Sequence, residues 1–293
     1  MLHHRGSGDL PGGWRTVDTV AGLTDAQVAH YRQHGWVAPV DVMGEDEAGE
    51  LLRLLEKAES GFPMELNAEH RNNAHLAFPF LADLALDARI VDHAESLIGP
   101  DISLSSTVLF IKEPGSSSFV SWHQDAFYLG LAPDNFVTAW IALTPSARES
   151  GCVSVIPGSH ESRIEHNDTF GEDNILTRGQ TVAGVNEASA VDLVLRPGQM
   201  SLHHPWLVHG SQPNRTDHRR VGVALQGFLG ADVRPTRGEH HVLAVRGAPP
   251  HTSFVTVPAP VAELDPAAVT ARAAANDALA AVLYDGAERT RSL

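Results

Sequence analysis

Residues 121–131 read SWHQDAFYLGL, with His123 and Asp125 separated by a single residue inside an aromatic-rich run. In a β-strand successive side chains point to opposite faces, so a strand through this stretch turns His123 and Asp125 the same way and Gln124 the other. An imidazole and a carboxylate presented together are two of the three groups in the two-histidine, one-carboxylate site that holds non-haem iron(II) with open coordination positions. The competing reading is a core histidine oriented by its neighbouring aspartate. An isolated HxD is too short to decide between them. The partners elsewhere in the chain have to decide.

Working outward, the texture around this stretch is β. Ile102–Ile111, Phe119–Asp125, Phe136–Leu143, Cys152–Ile156, Val191–Leu195, Met200–His204, Trp206–His209 and Val221–Phe228 are short β-branched or apolar runs separated by Gly/Pro turns. His240–Val245 and Phe254–Val257 add candidate edge strands. Such spacing, without alternating long helices, indicates an antiparallel sandwich or barrel rather than a parallel α/β sheet. Before residue 100 the periodicity is helical. Thr24-Asp25 cap a first helix carrying Val28 and Tyr31, with Trp36 assigned to its apolar side and Gly35 near its end; Asp46–Ser60 carries a leucine stripe, and Phe80–Ile98 reads as two further pieces. Residues 1–20 read as a loose lead-in. Pro266–Leu283 is an Ala-rich helix, read as a packing or oligomer element compatible with a homodimer. One domain over 1–293 is the economical division: a mainly helical part (1–100), a β core (101–260) and a C-terminal helix (261–293).

Composition bounds the function. The 293 residues carry a formal net charge of -15, which argues against a nucleic-acid partner needing a basic stripe. The single cysteine, Cys152, excludes an intramolecular disulfide and a thiolate zinc cluster. No stretch has signal-peptide or membrane-span character, so a cytoplasmic protein with no membrane partner is expected.

The segment HHPWLVHGSQPNRTDHRRVGVALQGF, His203–Phe228, supplies what the HxD stretch lacks. His209 precedes Gly210-Ser211, where a strand is expected to end with its imidazole turned inward; His204 is the rival third ligand. Arg220 enters the apolar run VGVAL, which is expensive unless its charge is paired. A carboxylate gripped by two parallel hydrogen bonds is the natural partner, and a small-molecule carboxylate fits because the strand has no acidic residue of its own. Arg219 is the alternative anchor.

WHQD with Tyr128, then TAWIAL, IPGSH, and HGSQPN followed by Arg219-Arg220, resembles the phytanoyl-CoA dioxygenase family of iron(II)- and 2-oxoglutarate-dependent oxygenases, over about Thr24–Phe228. The resemblance implies a mainly β fold, a double-stranded β-helix (jelly roll, cupin-like) with a helical N-terminal part packed on the barrel. It implies that His123, Asp125 and His209 bind Fe(II), and that Arg220, assisted by Ser211, takes the distal carboxylate of 2-oxoglutarate, with O2 as the other co-substrate. Gln124, Trp140 and Lys112 match family positions near the co-substrate; for Gln124 this requires the strand to twist or end there. NILTRGQ and PGQMSLHH look like bacterial members that include halogenases, which replace the metal-binding carboxylate by Ala or Gly. Asp125 is present here, so hydroxylation of a small metabolite is expected over halogenation; desaturation and cyclisation share the same ligands.

For the substrate, the polar stretch His160–Gln180 is long enough for a lid, and Arg178 and His166 within it are candidate contacts, Arg178 for an anionic group. Asn73 approaches from the helical side, and Phe127 and Trp206 are candidate apolar walls. Two readings from other classes remain: a cupin-like module holding metal without turnover, and a zinc hydrolase, for which the chain offers no poised general base such as that of HExxH.

Overall fold

In the computed structural model, residues 22–67 and 71–290 are described; the lead-in 1–20 lies outside them. The first part runs α1 (Asp25–His34), β1 (Trp36–Asp41), α2 (Glu45–Gly61), α3 (Pro79–Leu86) and α4 (Ala88–Ile98). Then come β2 (Ile102–Lys112), β3 (Val120–His123), the single turn α5 (Ala126–Leu129), β4 (Leu131–Ala132), β5 (Phe136–Ala142) and β6 (Val153–Val155). β7 (His166–Asp168), β8 (Gln180–Val182), β9 (Val191–Leu193), β10 (Gln199–His203), β11 (His209–Ser211) and β12 (Arg220–Leu229) follow. β13 (Arg234–Pro235), β14 (His241–Arg246), β15 (Val255–Val257) and α6 (Pro266–Leu283) end the chain's regular structure.

The strands form a seven-stranded sheet, ordered β1-β10-β5-β12-β2-β14-β15, and a four-stranded sheet, β3-β11-β6-β9. This is the jelly roll, with α2, α3 and α4 packed on one face of the large sheet. Period-two alternation explains the layering. On the large sheet Val221, Val223 and Leu225 of β12, Leu109 and Ile111 of β2, Ile141 of β5 and Leu202 of β10 face away from the small sheet and pack with Leu51, Leu55, Phe78, Leu81 and Ile90 of the helical layer. Each fully buried leucine there contributes about 1.5–3 kcal/mol. The alternate residues form the inner face: Arg220, Gly222 and Ala224 stand beside Lys112, Phe110 and Val108, and Ser201 and His203 beside Trp140 and Thr138. Gly222 is required there, because a Cβ would sit 1.9 Å from Cζ2 of Trp140.

Several local expectations are corrected. Trp36 opens β1 rather than continuing the first helix, because Gly35 adopts the left-handed conformation that stops α1. The strand through the HxD stretch ends at His123; Asp125 is already helical (φ -56°, ψ -47°) and leads into α5. Strand alternation therefore does not explain how His123 and Asp125 come together: the chain turns at Gln124. His209 begins β11 instead of closing a strand, since residues 204–208 form a turn.

Candidate metal centre and co-substrate pocket

His123 and His209 lie directly opposite each other on β3 and β11, which sets their ring centroids 4.2 Å apart. The turn after His123 brings Asp125 Oδ1 to 3.2 Å from His123 Nε2 and 3.9 Å from His209 Nε2. One ligand atom from each of the three residues fits within 4.8 Å of the others, and all three residues are buried. Both imidazoles are oriented from behind: Nδ1 of His123 lies 2.9 Å from Ser121 O and 3.1 Å from His209 O, and Nδ1 of His209 lies 2.9 Å from Leu207 O. These carbonyls fix the proton on Nδ1 and leave both Nε2 lone pairs free to coordinate. Thr138 Oγ1 donates to Asp125 Oδ2 at 3.3 Å, so Oδ1 is the oxygen turned to the two imidazoles. Burial pushes the Asp125 carboxyl up, but His209, His123 and His203 outweigh it and hold it well below the usual carboxylate range. Burial pushes His209 down, toward the neutral form a metal requires.

Beside this cluster, between the two sheets, Arg220 and Lys112 face each other across β12 and β2. Arg220 is 1% and Lys112 0% exposed. The guanidinium carbon sits 5.3 Å over the Trp140 ring, Nη1 makes one long bond (3.4 Å) to Phe110 O, and Nε has no partner. Lys112 Nζ donates to Ser211 Oγ at 2.6 Å and to Gln212 O. Burial, then the neighbouring Arg220, push the Lys112 ammonium down to about 6; burial pushes Arg220 down to about 10. The acidic group acting on both is the Cys152 thiol, which burial pushes up to about 11 and so leaves uncharged. Two buried basic side chains with no carboxylate bonded to either among the described residues describe a cradle for an anion. His123, Asp125, His209, Ser211, Arg220, Trp140 and His203 line one pocket together.

Arg219 points the other way. It is bonded at 3.0–3.1 Å to both Glu113 and Glu59 at the surface, which leaves Arg220 as the arginine inside the pocket. Gln124 does not face the pocket either. Its amide donates to Ser162 O and Trp206 O and accepts from Ile164 N, pinning the following loop behind the metal cluster. His204, the rival ligand, accepts from Trp206 N and stacks toward Tyr31 and His160.

None of the five candidate substrate contacts lines the co-substrate pocket or the cavity described next. Arg178 is ion-paired with Asp168, donates to Leu283 O at 2.8 Å, and lies over the Tyr128 ring, so it ties the 160–180 stretch to the end of α6. His166 accepts from Gln124 N and is packed on Phe127 at 4.3 Å. Burial pushes its pKa down to about 4. Trp206 is covered by Arg163, and Asn73 donates to Asn276 Oδ1 of α6.

A second cavity also borders His123 and Asp125. It is lined by Arg71, Phe110, Tyr128, Ile175, Leu176, Gln226, Leu279 and Leu283, among others. Most of these residues carry no motif. His203 was equally unannounced, although its signal existed: Gln199, Ser201 and His203 are the alternating polar positions of a fully buried strand, which is unusual unless they face a polar site. The reach of α6 into this cavity had no such signal.

The family profile for phytanoyl-CoA dioxygenase (PhyH) matches residues 31–222. The chain is 29% identical over 197 residues to a probable alpha-ketoglutarate-dependent hypophosphite dioxygenase of Stutzerimonas stutzeri (66% of this chain), and 33% identical over 150 residues to human peroxisomal phytanoyl-CoA dioxygenase (49% of this chain). It spans only 64% and 44% of the length of those two relatives. Among solved structures, the apo form of the non-heme monooxygenase ThoJ superposes with a TM-score of 0.79 at 31% identity, covering 88% of this chain and 98% of ThoJ. The profile match runs from α1 into β12, over more than half of the chain, and takes in the His–Asp–His cluster with Lys112 and Arg220; on that match the chain belongs to the phytanoyl-CoA dioxygenase family.

Proposed function

We propose that this protein is an iron(II)- and 2-oxoglutarate-dependent oxygenase that hydroxylates an unactivated C–H bond of a small molecule. The observation that carries the reading is the juxtaposition, inside one sandwich, of a two-histidine, one-carboxylate cluster with the buried Arg220–Lys112 pair, which has no carboxylate partner among the described residues. The donor set fits iron(II): two imidazole Nε2 atoms and one carboxylate oxygen converge, and each histidine is held in its coordinating tautomer by a carbonyl. The alpha-ketoglutarate dependence named for the S. stutzeri relative agrees with the anion cradle.

Bound iron(II), with 2-oxoglutarate and O2, supplies an oxidant strong enough for a C–H bond, with succinate and CO2 as co-products. The chain's own residues do the rest. His123, Asp125 and His209 hold the metal. Arg220 takes the far carboxylate of 2-oxoglutarate, Lys112 and Ser211 add a second charge and a hydroxyl on the same side, and the Trp140 ring beneath the guanidinium keeps its plane fixed. Thr138 holds Asp125 Oδ2, so the carboxylate keeps one oxygen for coordination. Because Asp125 fills the position that a halide would need, hydroxylation is favoured over halogen transfer. Leu129, Ile175 and Leu176 form an apolar wall on the substrate side.

The test is an anaerobic titration of the protein with iron(II) and then 2-oxoglutarate, following the visible charge-transfer band that chelation by the co-substrate gives. The expected result is a band that requires both. Iron binding without a band would leave only a metal-holding module, and no iron binding would make the His–Asp–His cluster core.

A further inference from the structure

We infer that the cavity beyond the metal centre recognises a substrate with an oxyanion group, carboxylate or phosphorus oxyanion, through Arg71, and an aliphatic body lying toward His123 and Asp125. The inference rests on the oxygenase reading only for what happens to that body. The cavity wall is apolar over much of its extent: Leu109, Leu129, Ile175, Leu176, Leu279 and Leu283. Asp125 is the one carboxylate among the described lining residues, and Arg71 the one arginine or lysine. Tyr128, the other ionisable lining group outside the metal cluster, is bonded to Asp168.

Arg71 is held in place without a direct ion pair among the described residues. Segment 71–73 runs antiparallel along the part of β2 that β14 does not reach, with Leu109 N donating to Arg71 O at 3.1 Å and Asn73 N to Thr107 O at 2.8 Å. Arg272 of α6 clamps this segment through Asn72 O and also donates to Glu65 O. The Arg71 guanidinium makes one long bond, 3.3 Å to Ile111 O, and its Nε is buried without a partner. Glu59 and Glu113 are near enough to act on it, but both are bonded to Arg219. A half-buried guanidinium with free donors on an apolar wall matches an oxyanion, which takes two of them in parallel. Arg220 lines the adjoining pocket, which meets this cavity at Phe110, His123, Asp125 and Gln226 and does not include Arg71, so the two anion sites are distinct: one for the co-substrate, one for the substrate.

The experiment is isothermal titration with hexanoate, hexylphosphonate and hexanamide in excess 2-oxoglutarate, with and without anaerobic iron(II). At least one of the two anions is expected to bind ten times or more tighter than the amide, and which one does so distinguishes carboxylate from phosphorus oxyanion. Arg71→Gln is expected to remove that preference, Arg71→Lys to keep part of it, and both to retain the iron–2-oxoglutarate band. Absence of binding by both anions, or an unchanged preference in Arg71→Gln, overturns the inference. So does loss of the band in Arg71→Gln, which would assign Arg71 to the co-substrate. Failure of the band in the unsubstituted protein would instead count against the oxygenase reading, while the anion preference would still report on Arg71.

Discussion

Replacing Arg220 by leucine, set against the same change at Arg219, separates the co-substrate anchor from its neighbour in the chain. In the pocket Arg220 has free donors over Trp140, and a carboxylate there accepts two charge-assisted bonds, each worth about 1.5–3 kcal/mol. Losing both costs about 3–6 kcal/mol, or about two to four powers of ten in affinity at 1.4 kcal/mol per tenfold. Lys112 remains beside the site and keeps the loss toward the lower end. Arg219 contributes to a surface network with Glu59 and Glu113, where a pair is worth about 0–1 kcal/mol, and none of its bonds reaches the pocket. Its replacement should change 2-oxoglutarate affinity by less than about fivefold. Stability should move oppositely. Arg220→Leu removes a buried, unpaired cation and should leave the co-substrate-free protein as stable as before or more so. Arg219→Leu breaks ion pairs and should lower Tm slightly. The assay is the 2-oxoglutarate dependence of the anaerobic charge-transfer band, with thermal unfolding measured alongside. Equal losses of affinity in the two variants, or the larger loss in Arg219→Leu, would refute the assignment.

Two further outcomes are expected. Lys112 has its folded pKa depressed to about 6, so without co-substrate it is neutral between about 6 and its ordinary 10.5, where the unfolded chain is protonated. Stability of the co-substrate-free protein should therefore rise with pH across that window. A bound dianion favours the ammonium, so 2-oxoglutarate binding above pH 6 should take up a proton and weaken as pH rises. Titration calorimetry in buffers of different ionisation enthalpy measures this, and Lys112→Met should abolish the uptake; uptake persisting in the variant would place the titrating group elsewhere. Arg178→Ala removes the ion pair to Asp168 and the bonds to Leu283 O and Asp285 O. It should cost about 1–3 kcal/mol and raise hydrogen exchange at the end of α6 without weakening the iron–2-oxoglutarate band. Unchanged exchange there would mean that the clasp is not what holds the helix end.

How much of this was legible in the sequence depends on the range of the interactions. The β texture after residue 100, Thr24 as the cap of α1 and the bounds of α6 are local properties of spacing, caps and breakers, and the structure keeps them. The co-planar reading of His123 and Asp125 assumed an unbroken strand. The side chains meet all the same, because Gln124 turns the chain and spends its own amide on loop carbonyls. Arg220 was legible by its cost: a cation in an apolar strand needs a reason that lies outside the strand. His203 had the same kind of signal and went unread because the adjacent His204 blurred the alternation.

The second cavity was not legible, and the reason is physical. Its walls come from the 71–73 edge segment, β2, the 175–180 loop and α6, joined by bonds such as Arg272 to Asn72 O across 200 residues of chain. No local pattern encodes such a junction. Arg178 illustrates the consequence. Read alone, an arginine in a polar loop looks like a contact for an anionic substrate, and the charge requirement it suggested has a different owner. Asp168 already neutralises Arg178, whereas Arg71, half-buried beside carboxylates committed to Arg219, carries free donors into the cavity. A cation marks an anion site when its donors have no direct carboxylate partner, and such pairing is a tertiary property. The same criterion that separates Arg220 from Arg219 at the co-substrate pocket separates Arg71 from Arg178 at the substrate side.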